Sequence, residues 1–292
     1  MQGVLVVDKP QGLTSHDVVA VARRALGESR IGHTGTLDPL ATGVLPLAVG
    51  QATRLVRFLT ASAKDYHAII RFGFTTDSFD VTGAETSRTD GIPSVDAMLA
   101  ALATLTGDYL QEPPAFSAKK VAGRRAYDMA RQSTPVALQP VPVRVTRAVV
   151  TDFADGRAHV SLTCSAGFYV RAFAHSLGQL TGTGACLEAL RRTRSGEFGL
   201  DTALSMSTLQ DPASVARGVI PLEALLPGFP AVSLTERGRT YVTHGRELGP
   251  DDYAPALLDF EWARLFDAAG ALVALGSPGQ SPGALHPSVV LI

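Results

Sequence analysis

Short apolar runs alternate with turns rich in glycine and proline through the first third of the chain. Residues 3–8 are rich in valine and predict a buried strand, which the turn at 9–12 ends. Ser15 is placed to cap a helix that runs to about residue 26. The apolar run VLPLAV at 44–49 predicts a second buried strand, and we expect a short helix to follow it as far as residue 59.

The middle of the chain predicts further strands and helices. Alternation over 64–74 predicts a strand that places Tyr66 and His67 on opposite faces, and a polar loop follows at 75–83. The remaining predictions are a helix capped by Ser94 over 93–105, strands over 141–152 and 157–165 with a hairpin turn between them, and a strand end at 168–171 that runs into a helix closed at 182–184.

Prolines and glycines become frequent from Val219 onward, and the segment 227–230 is typical of a linker. We therefore expect two domains, residues 1–228 and residues 229–292. The second contains a predicted helix at 235–243 and short strands near 263–266, 272–275 and 289–291, which indicates a small β-rich, barrel-like module.

Composition is that of a globular protein, with 46% hydrophobic and 18% charged residues among 292 and a mean hydropathy of +0.15. The net charge of −1 does not by itself indicate nucleic acid. Charge is unevenly distributed, however: residues 111–150 carry seven Lys or Arg against two acids, whereas residues 230–292 carry four against seven. Basic residues are thus concentrated in the middle of the chain.

Cysteine and histidine spacing argues against a disulfide framework or a metal site. Cys164 and Cys186 belong to no close CxxC or CxxH pair, and the seven histidines show no HxxxH or HExxH spacing. The first residues hold too short an apolar run for a signal peptide, and no apolar stretch reaches the ~18 residues of a membrane span. We expect a cytoplasmic protein with no membrane attachment.

One stretch, RIGHTGTLDPLATGVLPLAVGQATR at 30–54, holds a single carboxylate, Asp38, among glycines, threonines and a proline. Pro39 biases the residues before it toward extended or turn conformations, and the glycines let the main chain pass close to a ligand, so a helix is not expected at Asp38. An Asp-Pro pair in such a loop is often only a turn. A lone acid on a rigid loop beside cations also suits a catalytic group.

The string GHTGTLDPLATGVLPL, together with GVLVVDKPQGLTSHDVV upstream, resembles the signature of the TruB-type tRNA pseudouridine synthases. The resemblance covers about residues 3–200 and is thinner beyond Ser207. It implies an α/β (α+β) catalytic domain with a central mixed, largely antiparallel sheet, flanking helices and an active-site cleft, followed by a small PUA-like domain. It also implies isomerisation of uridine 55 in the T-loop of tRNA without cofactor or metal.

The same resemblance assigns the chemistry to particular residues. It implies that Asp38 is the nucleophile or base, although attack at C1′, attack at C6 and removal of the C2′ proton all remain open. Arg171 in GFYVRAF matches the arginine that pairs with this acid, and a guanidinium there would favour the carboxylate form. Tyr66 in KDYHAIIRFG matches the tyrosine that stacks on the target base and helps to move the C5 proton.

Other matched positions contact the nucleotide or the RNA loop. Tyr169 and Leu190 match positions that line the uridine pocket, and His33 matches the histidine that enters the RNA loop, where it can stack and hydrogen-bond. Asp80 falls in a family-like stretch and is expected to contact displaced bases. Lys9 and Pro10 match supporting positions.

The segment at about 111–140 resembles the family's insertion that closes over the T-stem and loop. Four clustered cations are expected to contact the RNA backbone, with Phe116 and Tyr127 interleaved among nearby basic residues; they are Lys119, Lys120, Arg124 and Arg125. A charge run is more commonly a solvated face. We expect tRNA as the partner, and a monomer without an obligate protein partner. The acidic balance of the C-terminal module differs from that expected of a domain that binds RNA.

Two other functions are compatible with parts of the sequence. A glycosidase or nucleoside hydrolase could also use an aspartate near C1′, but such enzymes commonly need a second acid, and none accompanies Asp38 in its loop. A non-catalytic RNA chaperone could use the basic segment alone.

Overall fold

The computed structural model describes residues 1–114, 120–121, 124–125, 139–257 and 259–292. Its helices are α1 Ser15–Leu26, α2 Val56–Thr60, α3 Val95–Thr104, α4 Val170–Thr181, α5 Pro212–Arg217 and α6 Glu236–Thr243, with 3-10 turns at Gly50–Leu55, Leu200–Thr202, Thr208–Gln210, Leu222–Ala224 and Pro250–Asp252. Its strands are β1 Gly3–Lys9, β2 Ile31–His33, β3 Thr42–Val49, β4 Lys64–Phe72, β5 Phe74–Thr76, β6 Glu85–Arg88, β7 Gly107–Gln111, β8 Lys120–Val121, β9 Arg124–Arg125, β10 Val141–Ala154, β11 Arg157–Cys164, β12 Ala185–Ser195, β13 Phe198–Gly199, β14 Val219–Pro221, β15 Ala231–Leu234, β16 Tyr253–Ala254, β17 Ala263–Phe266, β18 Leu272–Pro278 and β19 Leu285–Val290.

Within the described ranges, ten strands form one sheet in the order β14-β1-β3-β12-β4-β11-β10-β7, with β2 added to β3 and β13 to β12. Neighbouring strands run antiparallel except β3 and β12, which are parallel through Arg191–Thr42 and Arg192–Gly43. A second sheet has the order β16-β15-β17-β18-β19. The expected largely antiparallel sheet with flanking helices and a small β-rich C-terminal part is therefore confirmed.

The N-cap of helix α1 lies one residue earlier than predicted. Thr14, not Ser15, is the N-cap: its side chain accepts from the Asp17 N–H at 3.1 Å, and the Asp17 carboxylate accepts from the Thr14 N–H at 2.8 Å. This reciprocal pair satisfies two of the open N–H groups at the helix start. Ser15 is consequently free to point inward, where it is buried.

The prediction of a strand end at 168–171 was wrong. Helix α4 already begins at Val170, and Gly182 closes it at a φ of +72° that glycine adopts easily. Arg171 therefore lies in the first turn of a buried helix. The loop predicted at 75–83 is partly extended, because β5 continues through Thr76.

Two apolar clusters cover the two faces of the large sheet. Helices α1, α3 and α4 pack on one face through residues such as Val18, Met98 and Phe173. On the other face, Val4 and Leu275 belong to one cluster that joins β1 and β3 to the C-terminal sheet. The boundary predicted at residue 228 stays a prediction. In the described part of the chain, no helix is both long and apolar enough to span a bilayer.

Candidate active site

Asp38 lies in the loop between β2 and β3, and side chains from elsewhere hold this loop in place. The buried Ser15 hydroxyl accepts from the Leu37 N–H at 2.8 Å and donates to the Leu37 carbonyl at 3.0 Å. The main chain turns directly afterwards, since the Ala41 N–H donates to the Asp38 carbonyl at 3.0 Å. The residue before the acid is thus fastened to the start of α1, which limits where the carboxylate can point.

Arg192 on β12 holds the same loop from the other side. Its Nε donates to the Val44 carbonyl at 2.7 Å, its Nη2 to the Gly35 carbonyl at 3.0 Å and its Nη1 to the Thr36 carbonyl at 3.5 Å. Arg192 is only 1% exposed. The sequence assigned this arginine no role, because one arginine among three neighbours at 191, 192 and 194 carries no signal of burial.

The structure pairs Asp38 with Arg171, as the resemblance implied. Arg171 Nε lies 2.9 Å from Asp38 Oδ2 and 3.7 Å from Asp80 Oδ2, and its Nη1 donates to the Ser78 carbonyl at 3.0 Å. Arg171 and Asp80 side chains are 8% and 7% exposed, whereas that of Asp38 is 42% exposed. The guanidinium is therefore buried and fixed, and the carboxylate that it orients is open to a ligand.

Asp80 is a second acid near Asp38 that a reading of the loop alone did not count. Its Oδ1 accepts from the Ser78 hydroxyl at 3.0 Å and from the Thr82 N–H at 2.9 Å, while Oδ2 faces Arg171. Both oxygens of this carboxylate are thus engaged by the protein. This arrangement makes Asp80 a charge partner of Arg171.

Five of the residues singled out from sequence line one cavity of about 240 Å³: Asp38, Tyr66, Tyr169, Arg171 and Leu190. Burial raises the pKa of the Tyr66 hydroxyl, and the Arg192 guanidinium acts in the opposite direction. The main chain of Tyr169 exchanges hydrogen bonds with the buried Gln111 side chain, at 2.8 and 3.1 Å. Strands β4, β7 and β12, the Asp38 loop and α4 therefore converge on a cavity with aromatic and aliphatic walls and a carboxylate at its side.

Asp80 and His33, also singled out from sequence, do not line this cavity. Asp80 lines a neighbouring cavity that shares Asp38 and Arg171. His33 is half-buried at the end of β2 and lines neither cavity, and burial, then Arg192, lowers the pKa of its imidazole. Lys119, Phe116 and Tyr127 fall outside the described residues; for Lys120, Arg124 and Arg125 only the backbone of the hairpin β8–β9 is described.

Two buried lysines lie near the acid. Lys9, expected as support, donates to the Pro10 and Leu13 carbonyls at 2.9 and 2.7 Å, and burial lowers its pKa to about 8. Lys64, which sequence reasoning missed, lines the cavity and donates to the Thr60 and Ser62 carbonyls. Lys64 comes two residues before Tyr66, so strand alternation was the one signal that could have placed both on the same face.

Nothing in the described part of the chain groups three His, Cys, Asp or Glu side chains in a way that could hold a metal ion. The cavity instead offers an oriented carboxylate, cations and a flat aromatic wall. Such a site can act on a sugar carbon or on a base without redox chemistry.

Comparison with known proteins supplies the family. Residues 23–170 match the model of the TruB family pseudouridylate synthase N-terminal domain, and residues 171–226 match that of the tRNA pseudouridylate synthase B C-terminal domain. A tRNA pseudouridine synthase B from Solibacter usitatus is 41% identical over 297 residues, which covers 100% of both chains. Another from Mycobacterium sp. (strain KMS) is 42% identical and covers 85% of this chain and 84% of its own.

The fold is also found among solved structures. A chain in the crystal structure of a Cbf5-Nop10-Gar1 complex matches with a TM-score of 0.75 and 26% identity, covering 99% of this chain and 85% of that chain. A chain in the structure of an H/ACA RNP bound to a substrate RNA containing 2'-deoxyuridine matches with the same TM-score at 24% identity, which shows the fold alone.

Proposed function

The chain belongs to the TruB family of pseudouridylate synthases, and we propose that it converts uridine 55 in the T-loop of tRNA to pseudouridine. The reaction breaks the bond from ribose C1′ to N1, turns the uracil, and joins C1′ to C5. The C5 proton leaves and N1 takes one up, so no outside atom or electron is consumed. A cofactor is not required for this balance.

The observation that carries the proposal is the Asp38–Arg171 contact of 2.9 Å at a cavity that Tyr66, Tyr169 and Leu190 also line. An aspartate acting on the sugar or ring must be ionised and oriented, and a buried guanidinium does both. The target nucleotide must leave its stack to reach such a cavity, and aromatic walls can receive its base.

Each remaining residue has a place in this proposal. Tyr66 lies in the cavity to stack on the uracil, and Tyr169 and Leu190 close the pocket around it. Asp80 and His33, outside the cavity, are proposed to contact the displaced parts of the RNA loop. We also propose that the basic segment at about 111–140 holds the T-stem backbone and that residues 229–292 form a PUA-like domain. We infer a cytoplasmic monomer.

The decisive experiment replaces Asp38 by Asn, which keeps the shape and removes the charge. We expect Asp38→Asn to bind an unmodified T-arm hairpin with unchanged affinity and to form no pseudouridine in a base-specific chemical readout. Asp155→Asn is the matched control, since Asp155 is exposed in a hairpin turn at a φ of +51° that asparagine also adopts. Normal turnover by Asp38→Asn would refute the assignment.

The same reactions separate the two rival functions. Isomerisation leaves the mass of the RNA unchanged, whereas a nucleoside hydrolase would release free uracil and leave an abasic site. A chaperone would keep its full physiological effect in Asp38→Asn, because that variant retains the RNA-binding surface.

A further inference from the structure

The cavity beside Asp38 is lined by cations of two kinds: one is paired with carboxylates, and the others, among the described residues, are not. Arg171 faces Asp38 in this cavity and Asp80 in the neighbouring one. Lys64 and Arg192 also line the cavity, and they are 6% and 1% exposed. Within the described ranges, no carboxylate oxygen comes within 4 Å of a side-chain nitrogen of either residue.

Burying two neighbouring cations without an anion is costly, because each loses its hydration and repels the other. The neighbouring arginines of β12 avoid this cost: Arg191 pairs with Asp8 at 2.8 Å, and Arg194 pairs with Asp65 at 2.6 Å. Arg192 and Lys64 are therefore the exception on this part of the sheet. The cavity that both line is the place where a bound anion would compensate them.

Lys64 is the better placed of the two to contact that anion. Arg192 already directs Nε, Nη1 and Nη2 at backbone carbonyls of the Asp38 loop. Lys64 Nζ donates to the Thr60 and Ser62 carbonyls, and an ammonium has three donors. One N–H of Lys64 thus remains for a ligand in the cavity.

The reaction proposed above creates such an anion. When the C1′–N1 bond breaks, its electron pair stays with the uracil and spreads over N1, O2 and O4. If Asp38 instead attacks C6, the C5=C6 pair moves to O4. The pair is returned when C5 bonds to C1′. Asp38 leaves the carbon that it attacked, or returns the C2′ proton that it removed, and C5 loses its proton while N1 gains one.

We propose that Lys64 is a further catalytic residue, whose ammonium donates a hydrogen bond to a uracil carbonyl oxygen while the ring carries negative charge. Arg192 adds fixed positive charge behind it and keeps the Asp38 loop in position. This inference rests on the proposed function and holds for each of the three open routes, since all of them place negative charge on the ring oxygens.

The test compares Lys64→Met with Lys64→Arg in single-turnover reactions on an unmodified T-arm hairpin. Removing one preorganised donor from a developing anion lowers rates by roughly 10²–10³-fold, and we expect this loss in Lys64→Met with RNA affinity within about threefold of wild type. Lys64→Arg keeps the charge and should recover most of the rate. Arg217→Met, which removes an exposed cation of α5, is the matched control and should keep the wild-type rate.

A pH profile distinguishes catalysis from structural support. Burial and then Arg192 lower the pKa of Lys64 to about 8, so the ammonium is present below that pH and lost above it. We expect kcat/KM of wild type to fall on the alkaline side near pH 8, and we expect this fall to be absent in Lys64→Arg, whose guanidinium stays protonated. A fall that persists in Lys64→Arg would come from another group, such as Lys9, whose pKa burial also lowers to about 8, and would overturn the proposal. This comparison holds even if Lys64→Met fails to fold.

Activity of the wild-type protein and of Lys64→Met distinguishes a wrong function from a wrong role of Lys64. If wild-type protein forms no pseudouridine, the proposed function is wrong. If wild type forms pseudouridine and folded Lys64→Met does so at the same rate, only the role of Lys64 is wrong.

Discussion

Replacing Arg171 by Met tests the ion pair on which the site depends. The guanidinium is buried and contacts Asp38 at 2.9 Å and Asp80 at 3.7 Å. Methionine fills a similar volume without charge, so the variant leaves Asp80 buried without its cation and leaves Asp38 without its orienting partner. We expect losses of both stability and activity, and these have separate causes.

The size of each loss follows from the contacts that the variant removes and from the free energies typical of such contacts. Removing one partner of a buried ion pair costs about 3–5 kcal/mol, and because Asp80 keeps its bonds to Ser78 and Thr82, we expect about 2–3 kcal/mol and a fall in Tm of roughly 5–10 °C. A hydrogen bond to a charged group contributes about 1.5–3 kcal/mol, which at about 1.36 kcal/mol per tenfold corresponds to a rate loss of roughly 10–150-fold.

The double variant Arg171→Met/Asp80→Asn separates the two effects. Neutralising Asp80 removes the unpaired buried charge, so thermal unfolding should show that much of the lost stability returns. Single-turnover rates should stay as low as in Arg171→Met, because Asp38 still lacks its partner. If the double variant regained the wild-type rate, Arg171 would act through Asp80, and the reasoning about Asp38 would be refuted.

Three further predictions concern the frame around the site. Ser15→Ala should lower the rate and cost about 1–3 kcal/mol in denaturant unfolding, since it leaves buried groups of the Asp38 loop unpaired. Gly43→Ala should destabilise the protein far more than Gly12→Ala: both have positive φ, but a Cβ at Gly43 would lie 2.1 Å from the Arg192 carbonyl oxygen and one at Gly12 would meet nothing within 4 Å. Equal Tm values for these two variants would contradict the close approach. Burial raises the pKa of the Cys164 thiol to about 12, so alkylating reagents at pH 8 should label it only after unfolding.

Local sequence was sufficient for most elements because local forces decide them. Alternation in β4 places Tyr66 and His67 on opposite faces, as predicted, because successive strand residues point to opposite faces; Tyr66 is the buried one. Pro39 and the surrounding glycines keep Asp38 out of a helix for reasons that act within a few residues. The family signature is likewise contained in a continuous string.

Arginines of β12 show what sequence could not decide. Strict alternation would place Arg192 and Arg194 on the same face, but the pairing of β12 with β4 shifts register between them. Arg192 stays in regular register opposite Tyr66 and faces inward, and the bulge after it turns Arg194 to the other face, where it pairs with Asp65. Which arginine is buried thus depends on a partner strand more than a hundred residues away.

The sequence by itself determined the family, the loop that carries Asp38 and five of the residues that line the pocket. Tertiary structure alone decided that Arg171 would be shared between two acids, that Ser15 would hold the loop and that Lys64 would lie in the cavity with no carboxylate of the described residues within 4 Å. Charge compensation and burial are properties of side chains brought together from distant segments, and spacing along the chain does not encode them.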